Sequence, residues 1–404
     1  MRMNLSAEEA RDILLDLPVS LEEETVPLDD ALGRVLACDL TAEIPMPPFD
    51  RSPLDGYAVC GADTAKASRE NPVSLTVTDE IPAGSAPHSA VLPGTAAKIL
   101  TGAPMPEGAD AVIRWEDTER EGNRVRIFTE VKPGQNCIFQ GEEVQRGDCL
   151  VEGGTVLTPA EIGMMAAQGK TECTVWKRPG AALVTTGSEL VETGGTLTAG
   201  KIYDSNQSML AAMLEKNGMC CVSRAQVEDD LDRIAAAIER AWEKTDLVIT
   251  TGGASSGDYD FAVAAAERLS AEVLFWKVKM KPGSCVLAAV RGDKRLISLS
   301  GNPGSATVCL MRVVLPYLKK LQGRTDLCPE VVTLPLKEEL RKKSPTERML
   351  RGHMEILNGQ VVFAENQKQG NGMIASLRGF ELLGEVPAGS PPLPAGTMIR
   401  AYRF

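Results

Sequence analysis

The sequence predicts a multidomain α/β protein: a central three-layer α/β/α domain, a discontinuous helical domain, an inserted β-rich domain and a C-terminal β-barrel. Three observations predict it. At 404 residues the chain exceeds the roughly 100–200 residues that one core ordinarily organises. Beyond Lys177, strands, Gly-rich turns and helices alternate. Two other stretches break into short β-rich runs separated by Gly and Pro. The boundaries read as 1–45 plus 141–176 for the helical or linking domain, 46–140 for the β-rich domain, 177–323 for the α/β domain and 324–404 for the barrel.

Each element has a local signal. Ser6 and Glu9 form an S-x-x-E capping box, followed by Ile13, Leu14 and Leu17 at helical spacing and stopped by Pro18. A second helical stretch is expected from Pro27 to Leu36, where Asp29 and Asp30 favour the positive end of the dipole. From Ile44 to Gln140, runs such as SLTVT and AVIRW alternate with PMPP, IPAG, LPG and KPGQ turns. LTPAEIGMMAAQG reads as a helix with Pro159 in its first turn and Gly169 just past its end, which groups it with the opening helices. In the α/β stretch, Leu231, Ile234, Ile238, Ala241 and Trp242 share one helical face. The stretch closes with the helix ATVCLMRVVLPYLKKLQG, after which short strands ending in GTMIRAYRF suggest a small barrel.

Composition removes several function classes. With 43% hydrophobic and 24% charged residues, no stretch approaches the roughly 18 uncharged apolar residues of a membrane span. Acids interrupt the N-terminal segment where a signal peptide would be apolar, and the ten cysteines contain no CxxC pair, so a cytoplasmic protein with reduced thiols is expected. Two histidines, His88 and His353, leave little for zinc-hydrolase or His-triad chemistry. A net charge of −12 argues against nucleic acid and anionic membrane as partners, while permitting a local cationic pocket.

The residues suited to chemistry gather around the α/β segment. Gly-rich turns follow predicted strands at Thr186-Gly187-Ser188, Thr251-Gly252-Gly253 and Ser300-Gly301-Asn302-Pro303-Gly304. They are either plain strand-to-helix connections or an anion or nucleotide site at the carboxyl ends of the strands. None matches a dinucleotide fingerprint or a P-loop. Glu189, Asp229, Asp230, Asp258 and Asp260 lie near these turns. Singly, Asp229, Asp230 and Asp258 read as helix caps or first-turn acids, and together the acids could hold magnesium, which takes one or two carboxylates plus phosphate oxygens. Lys277, Lys279 and Lys281 alternate in FWKVKMKPG, which places them on one side of an extended segment, as a solvated face or as ammonium groups aimed at phosphate. Asp55-Gly56 fits a hairpin turn. The residues alone point as far as a magnesium-assisted enzyme acting on a phosphorylated or adenylated small molecule.

The strings PPFDRSPLDGYAV, TGAPMPEGADAV, TGSEL followed by YDSN, TTGGASSGDYDF, FWKVKMKPG and SGNPGSATV occur in this order. They resemble the signature segments of the MoeA/gephyrin family from Pro48 to Gly323, with a weaker likeness through Arg351-Gly352 and QGNGMIASL. The resemblance implies an elongated homodimer of four-domain subunits, whose α/β domain is molybdopterin-binding-like. It implies molybdenum cofactor biosynthesis: molybdate is inserted into adenylylated molybdopterin, with magnesium-dependent release of AMP. A molybdopterin adenylyltransferase and recipient molybdoenzymes are the implied further partners, and a non-catalytic carrier paralogue is the alternative.

Carried over position by position, the resemblance gives catalytic roles to Asp55, Glu189, Asp260, Lys277 and Lys281. Metal contacts fall to Glu143, Glu189, Asp229, Asp230 and Asp260. Cofactor contacts fall to Thr101, Gly187, Ser188, Gly252, Gly253, Ser255, Gly301, Asn302, Pro303, Arg351 and Ser376. The family's site lies between subunits, so that Asp55, Thr101, Glu143, Arg351 and Ser376 come from neighbouring domains or the partner chain. Ser284-Cys285 stands where the family pattern has Lys-Pro, and Ser300 where it has Pro.

Overall fold

The structure is a computed structural model that describes residues 1–253 and 261–404. Contacts divide it into two units, one of Met1–Cys38, Gly154–Thr158 and Glu172–Phe404, the other of Asp39–Gly153 and Pro159–Thr171. Among the described residues no helix is long and apolar enough to cross a membrane. The ten cysteines are free thiols.

A seven-stranded mixed sheet organises the first unit. Its order is Arg2–Leu5, Glu272–Val278, Val286–Arg291, Lys294–Leu299, Leu247–Thr251, Gly180–Thr186, Cys220–Val227, and the last four strands run parallel. Strand alternation divides the apolar residues between two faces. Ala181, Leu183 and Ile249 pack with Leu210 and Leu214 of helix Ser205–Lys216 and with the helical run 303–321. Ala182, Val184 and Val248 pack against helices Leu231–Trp242 and Phe261–Arg268. The result is the three-layer sandwich expected of a strand-helix alternation buried on both faces. Ile234, Ile238, Ala241 and Trp242 are buried as their spacing predicts, and the Trp242 indole donates to the Arg295 carbonyl at 3.1 Å.

The run 303–321 consists of helix Pro303–Cys309, a π-turn at Leu310–Val314 and helix Leu315–Leu321. Pro316 has no N–H to donate one turn back and its ring needs room, which the widened π-turn provides. Arg312 projects from that turn into the interior, 1% exposed, where it pairs with Glu8 and donates to the Tyr402 hydroxyl at 2.9 Å. Its guanidinium also lies 4.0 Å from the centroid of the Tyr402 ring.

The opening of the chain departs from expectation in three ways. Arg2–Leu5 forms an edge strand parallel to Glu272–Val278 before the capping box of Ser6 and Glu9 starts helix Ala7–Leu15. The helix expected over Pro27–Leu36 is instead strand Glu23–Pro27, paired with Glu172–Trp176, and a single 3-10 turn at Leu28–Asp30. Its backbone bonds go across the chain: Gly33 and Leu36 donate to Leu157 and Thr155, at 2.9 and 3.0 Å. The two helices grouped in the expected domain of 1–45 plus 141–176 fall in different units, Ala7, Ala10 and Leu14 being buried in the core of the first while helix Pro159–Ala167 belongs to the second; the two segments are joined instead by strands, Glu23–Pro27 with Glu172–Trp176 and Leu40–Thr41 with Cys149–Val151.

The C-terminal stretch forms a six-stranded sheet ordered Met280–Lys281, Glu347–Leu357, Leu382–Val386, Met398–Arg403, Glu330–Pro335, with Gln360–Glu365 on the free side of Glu347–Leu357. It curls until an isolated bridge joins Leu336 to Phe363 and Lys337 donates to the Phe363 carbonyl at 2.9 Å. The expected barrel is therefore half-closed. Its first strand, Met280–Lys281, comes from the α/β stretch and pairs with Glu347 and Arg348, so this sheet crosses the boundary drawn at Gly323.

The second unit holds a six-stranded sheet ordered Ala111–Arg114, Gly56–Val59, Thr95–Ile99, Val73–Ile81, Arg124–Ile127, Thr118–Glu121. The antiparallel register pairs Gly56 with Ile99 and so brings Asp55 and Thr101 to the same end of adjacent strands.

Candidate active site

In the first unit, four parallel strands deliver their carboxyl ends to one cavity of about 760 Å³. Beyond Val227 comes Asp229; beyond Thr186, Gly187 and Glu189; beyond Thr251, Gly252 and Gly253; beyond Leu299, the run Ser300-Gly301-Asn302-Pro303. This is where ligands of open α/β sheets bind, because the loops there converge while the strands hold them rigidly. Lys281 to Cys285 and Asn371-Gly372 complete much of the wall.

Glycine lets the turns approach one another. A Cβ on Gly252, whose φ is +92°, would lie 2.1 Å from the Thr186 carbonyl oxygen. On Gly187 it would meet the Glu189 carboxylate at 2.8 Å. Side chains then fasten the loops. Asp229 accepts the Ser188 N–H at 3.0 Å, and the Asn206 amide donates to the Gly301 carbonyl at 2.7 Å. Asp204, 4% exposed, accepts the Gln207 N–H at 3.0 Å and the Thr185 hydroxyl, capping helix Ser205–Lys216 on the cavity wall.

The charges of this wall are unequal. Its described ionisable side chains include three carboxylates, Glu189, Asp204 and Asp229, and one ammonium, Lys281. Two buried oxygens of wall residues, Thr186 Oγ1 and Asn206 Oδ1, have no hydrogen-bond partner among the described residues. Among the described residues no cluster of three or more His, Cys, Asp or Glu side chains forms a self-sufficient metal cage.

The chain matches three family descriptions in succession: MoeA N-terminal region (domain I and II) over residues 5–169, probable molybdopterin binding domain over 182–320, and MoeA C-terminal region (domain IV) over 333–404. It is 36% identical to the molybdopterin molybdenumtransferase of Bacillus subtilis strain 168, across 94% of this chain and 89% of that one. The chain belongs to the MoeA family. The molybdopterin molybdenumtransferase of Staphylococcus aureus strain Mu50 is 33% identical across 98% of this chain and 94% of its own. The crystal structure of the molybdopterin biosynthesis MoeA protein of Pyrococcus horikoshii OT3 superposes with a TM-score of 0.85 at 31% identity, covering 99% and 100% of the two chains.

Against the MoeA pattern, the cavity brings together Gly187, Glu189, Asp229, Gly252, Gly253, Lys281, Gly301, Asn302 and Pro303. Ser188 stands beside it, its N–H on Asp229. Ser255 and Asp260 lie outside the described residues. The other predicted positions are placed differently. Asp230 does not line the cavity: it caps helix Leu231–Trp242, accepting the Arg233 N–H at 2.9 Å. Lys277 is not on the cavity wall with Lys281, because a φ of +67° at Lys277 breaks the alternation, its strand ends at Val278, and Lys281 belongs to the separate strand Met280–Lys281. Its ammonium sits 3.8 Å from the centroid of the neighbouring Trp276 ring.

Arg351 and Ser376, read as cofactor contacts, are 0% and 1% exposed and point into the C-terminal segment. Ser376 donates to the Met373 carbonyl at 2.7 Å. Arg351 donates to Gln369 and to the Gly370 carbonyl, both at 3.2 Å, and burial pushes its pKa below the usual arginine value. Gly304 packs against it so closely that a Cβ there would lie 2.0 Å from Arg351 Nη1. Arg351 thereby holds the loop that carries Asn371 and Gly372 to the cavity.

Asp55, Thr101 and Glu143 belong to the second unit. The Asp55 carboxylate accepts the Thr101 N–H at 2.8 Å and its hydroxyl at 2.9 Å, and these two bonds hold its pKa below the usual aspartate value. Glu143 is exposed, its N–H on the Met46 carbonyl at 3.0 Å. Sequence reasoning missed Asp204 and Asn206, although the string YDSN contains both. An Asp-Ser-x-x start to a helix after a short strand was the available signal.

Proposed function

We propose that this chain acts in molybdenum cofactor biosynthesis as a molybdopterin molybdenumtransferase, inserting molybdate into adenylylated molybdopterin with release of AMP. The imbalance of charge in the cavity carries the reading. Three carboxylates and one ammonium would repel a substrate bearing a phosphoanhydride and an oxyanion, unless a divalent cation bound with them. Carboxylate oxygens of Glu189 and Asp229 would hold magnesium together with phosphate oxygens of the substrate. When bound there, magnesium supplies charge neutralisation at the anhydride oxygens.

The remaining work belongs to the chain. The bare backbone at Gly187, Gly252 and Gly301 lets the phosphates approach the strand ends without steric conflict. Lys281 projects from the short strand Met280–Lys281 and faces the negative charge that grows on the leaving AMP. Ser284 and Ser300 line the cavity and offer neutral hydroxyls where the family pattern has Lys and Pro, so Lys281 bears a larger share of oxyanion attraction. Asp230, Arg351 and Ser376 support this arrangement from behind. No histidine is required, since neither acid–base relay nor a covalent protein intermediate enters.

The chain is further proposed to act as a cytoplasmic homodimer, with Asp55, Thr101 and Glu143 contributed by the other copy. Purified protein incubated with adenylylated molybdopterin, molybdate and magnesium is expected to release AMP and to yield cofactor that activates an apo-molybdoenzyme. Tight substrate binding with no AMP released would reject the reading.

A further inference from the structure

A second cavity, of about 500 Å³, shares Lys281, Pro282 and Asn371 with the first and is otherwise walled by the C-terminal stretch. Its charge is the reverse of its neighbour's. Lys281, Arg341, Lys342 and Arg348 line it, against the two carboxylates of Glu339 and Glu365. Arg341 pairs with Glu339 at 2.8 Å. Among the described residues Lys281, Lys342 and Arg348 form no ion pair, with Glu365 or with any other acid. A chain of net charge −12 has acids in excess, yet these three cations are left without one.

Two of the three are held side by side by the backbone. Strand Met280–Lys281 runs parallel to Glu347–Leu357 with Lys281 in register with Arg348, and residues in register project from the same face of a sheet. Like charges so placed repel unless an anion lies between them. Their face is not the one that carries Arg351. Pairing with Leu382–Val386 is regular from Arg348 to Gly352, so Arg348 and Leu350 point one way, Leu350 into the half-barrel core, while Met349 and Arg351 point the other, Met349 into the core of the α/β sandwich. Arg351, which the family pattern marks for cofactor contact, therefore lies across the sheet from this cavity.

We propose that Lys281, Lys342 and Arg348 form a binding site for a tetrahedral oxyanion, separate from the cavity at the strand ends and joined to it by Lys281. A guanidinium offers paired N–H donors to two oxygens of such an anion, and the ammonium groups add point charge. The inference goes beyond the reaction proposed above, since it requires only an inorganic anion of that shape. Molybdate, sulfate and phosphate share the chemistry.

The three oxyanions are titrated separately, by calorimetry at low ionic strength, into the full-length chain and into Arg348→Met, Arg348→Lys, Lys342→Met and Arg126→Met. At least one is expected to bind the parent, and Arg348→Met to weaken it about tenfold or more, the loss of one charge-assisted contact. Lys342→Met weakens it about threefold to tenfold, and Arg348→Lys, which keeps the charge without the fork, by less than Arg348→Met. Arg126→Met removes the same charge from the other unit and leaves binding within about threefold, which separates a local site from net charge. In urea without oxyanion, Arg348→Met keeps or exceeds the parental midpoint, because a repulsion has gone. Should it unfold early, Lys342→Met decides alone. Molybdate preferred over sulfate and phosphate assigns the site to the oxyanion of the proposed transfer, and phosphate or sulfate bound as tightly assigns it to a common inorganic anion. The site is rejected if no oxyanion binds the parent, if Arg348→Met and Lys342→Met both bind within about threefold of it, or if Arg126→Met is weakened as much as Arg348→Met. The AMP-release assay keeps the two proposals apart. Arg348-dependent binding in a chain that releases no AMP retains the site and rejects the transferase. AMP release with oxyanion binding indifferent to Arg348 and Lys342 does the reverse.

Discussion

Adjacent aspartates make the most discriminating test. Asp229 and Asp230 carry the same charge one residue apart, yet Asp229 lines the cavity and accepts the Ser188 N–H at 3.0 Å while Asp230 caps helix Leu231–Trp242 through the Arg233 N–H at 2.9 Å. Asparagine preserves each hydrogen bond and removes each charge. For Asp230→Asn neither stability nor turnover should change, because asparagine caps as well as aspartate does. Asp230→Ala loses the cap and should cost about 1 kcal/mol, within a range of about 0.5–2, with turnover intact. Asp229→Asn should leave urea unfolding unaltered while kcat/KM for AMP release falls about 100-fold or more, about 2.7 kcal/mol of transition-state stabilisation. The magnesium concentration needed for half-maximal rate should rise in that variant alone. Urea titration and AMP release across a magnesium series read both quantities. Asp229→Asn with kcat/KM within about threefold of the parent, or Asp230→Asn as impaired as Asp229→Asn, would refute the assignment of roles.

Further expectations follow from the other residues. In Thr101→Val the Asp55 carboxyl keeps the backbone bond, the larger influence, and loses the hydroxyl, so its titration midpoint should move up yet stay below the ordinary aspartate value by NMR. Because that pKa is depressed in the folded chain, the bonds to Asp55 stabilise above the ordinary aspartate range and cease to do so as pH falls through the folded value; Thr101→Val should narrow this acid-sensitive window. Gly252→Ala forces a Cβ to within 2.1 Å of the Thr186 carbonyl at a φ of +92°, and should cost about 1–3 kcal/mol in urea unfolding along with most of the AMP-release rate. If the second unit serves a partner's cavity, mixing inactive Asp55→Ala and Lys281→Ala proteins under subunit exchange should restore about a quarter of parental activity, since half of the dimers are mixed and each has one intact site. No recovery after exchange verified by native mass spectrometry would exclude the shared site.

Much of the α/β core was legible because its signals are local. The capping box at Ser6 and the face formed by Ile234, Ile238, Ala241 and Trp242 depend on spacing within one helix, and both are seen. Three Gly-rich turns could be tied to one site because each follows a parallel strand, and the strands prove to be neighbours. What stayed hidden depends on partners distant in sequence. The stretch Pro27–Leu36 reads as helical until Leu157 and Thr155 take its backbone bonds. Lys277 alternates with Lys281 on paper, but a positive φ at Lys277 and the end of its strand at Val278 separate them. Arg351 and Ser376 fit a family pattern for ligand contact, and only their burial shows that they hold the loop bearing Asn371. The acids Asp229 and Asp230 differ by turn geometry alone, which no residue type announces.

Arg312 ties together residues almost four hundred positions apart, since Glu8 and Tyr402 meet on the same guanidinium. During synthesis the first unit therefore lacks one of these partners until its last strand has left the ribosome. The second unit has every residue it needs by Thr171. The β-rich unit can mature while the cavity-bearing one is still waiting for Tyr402.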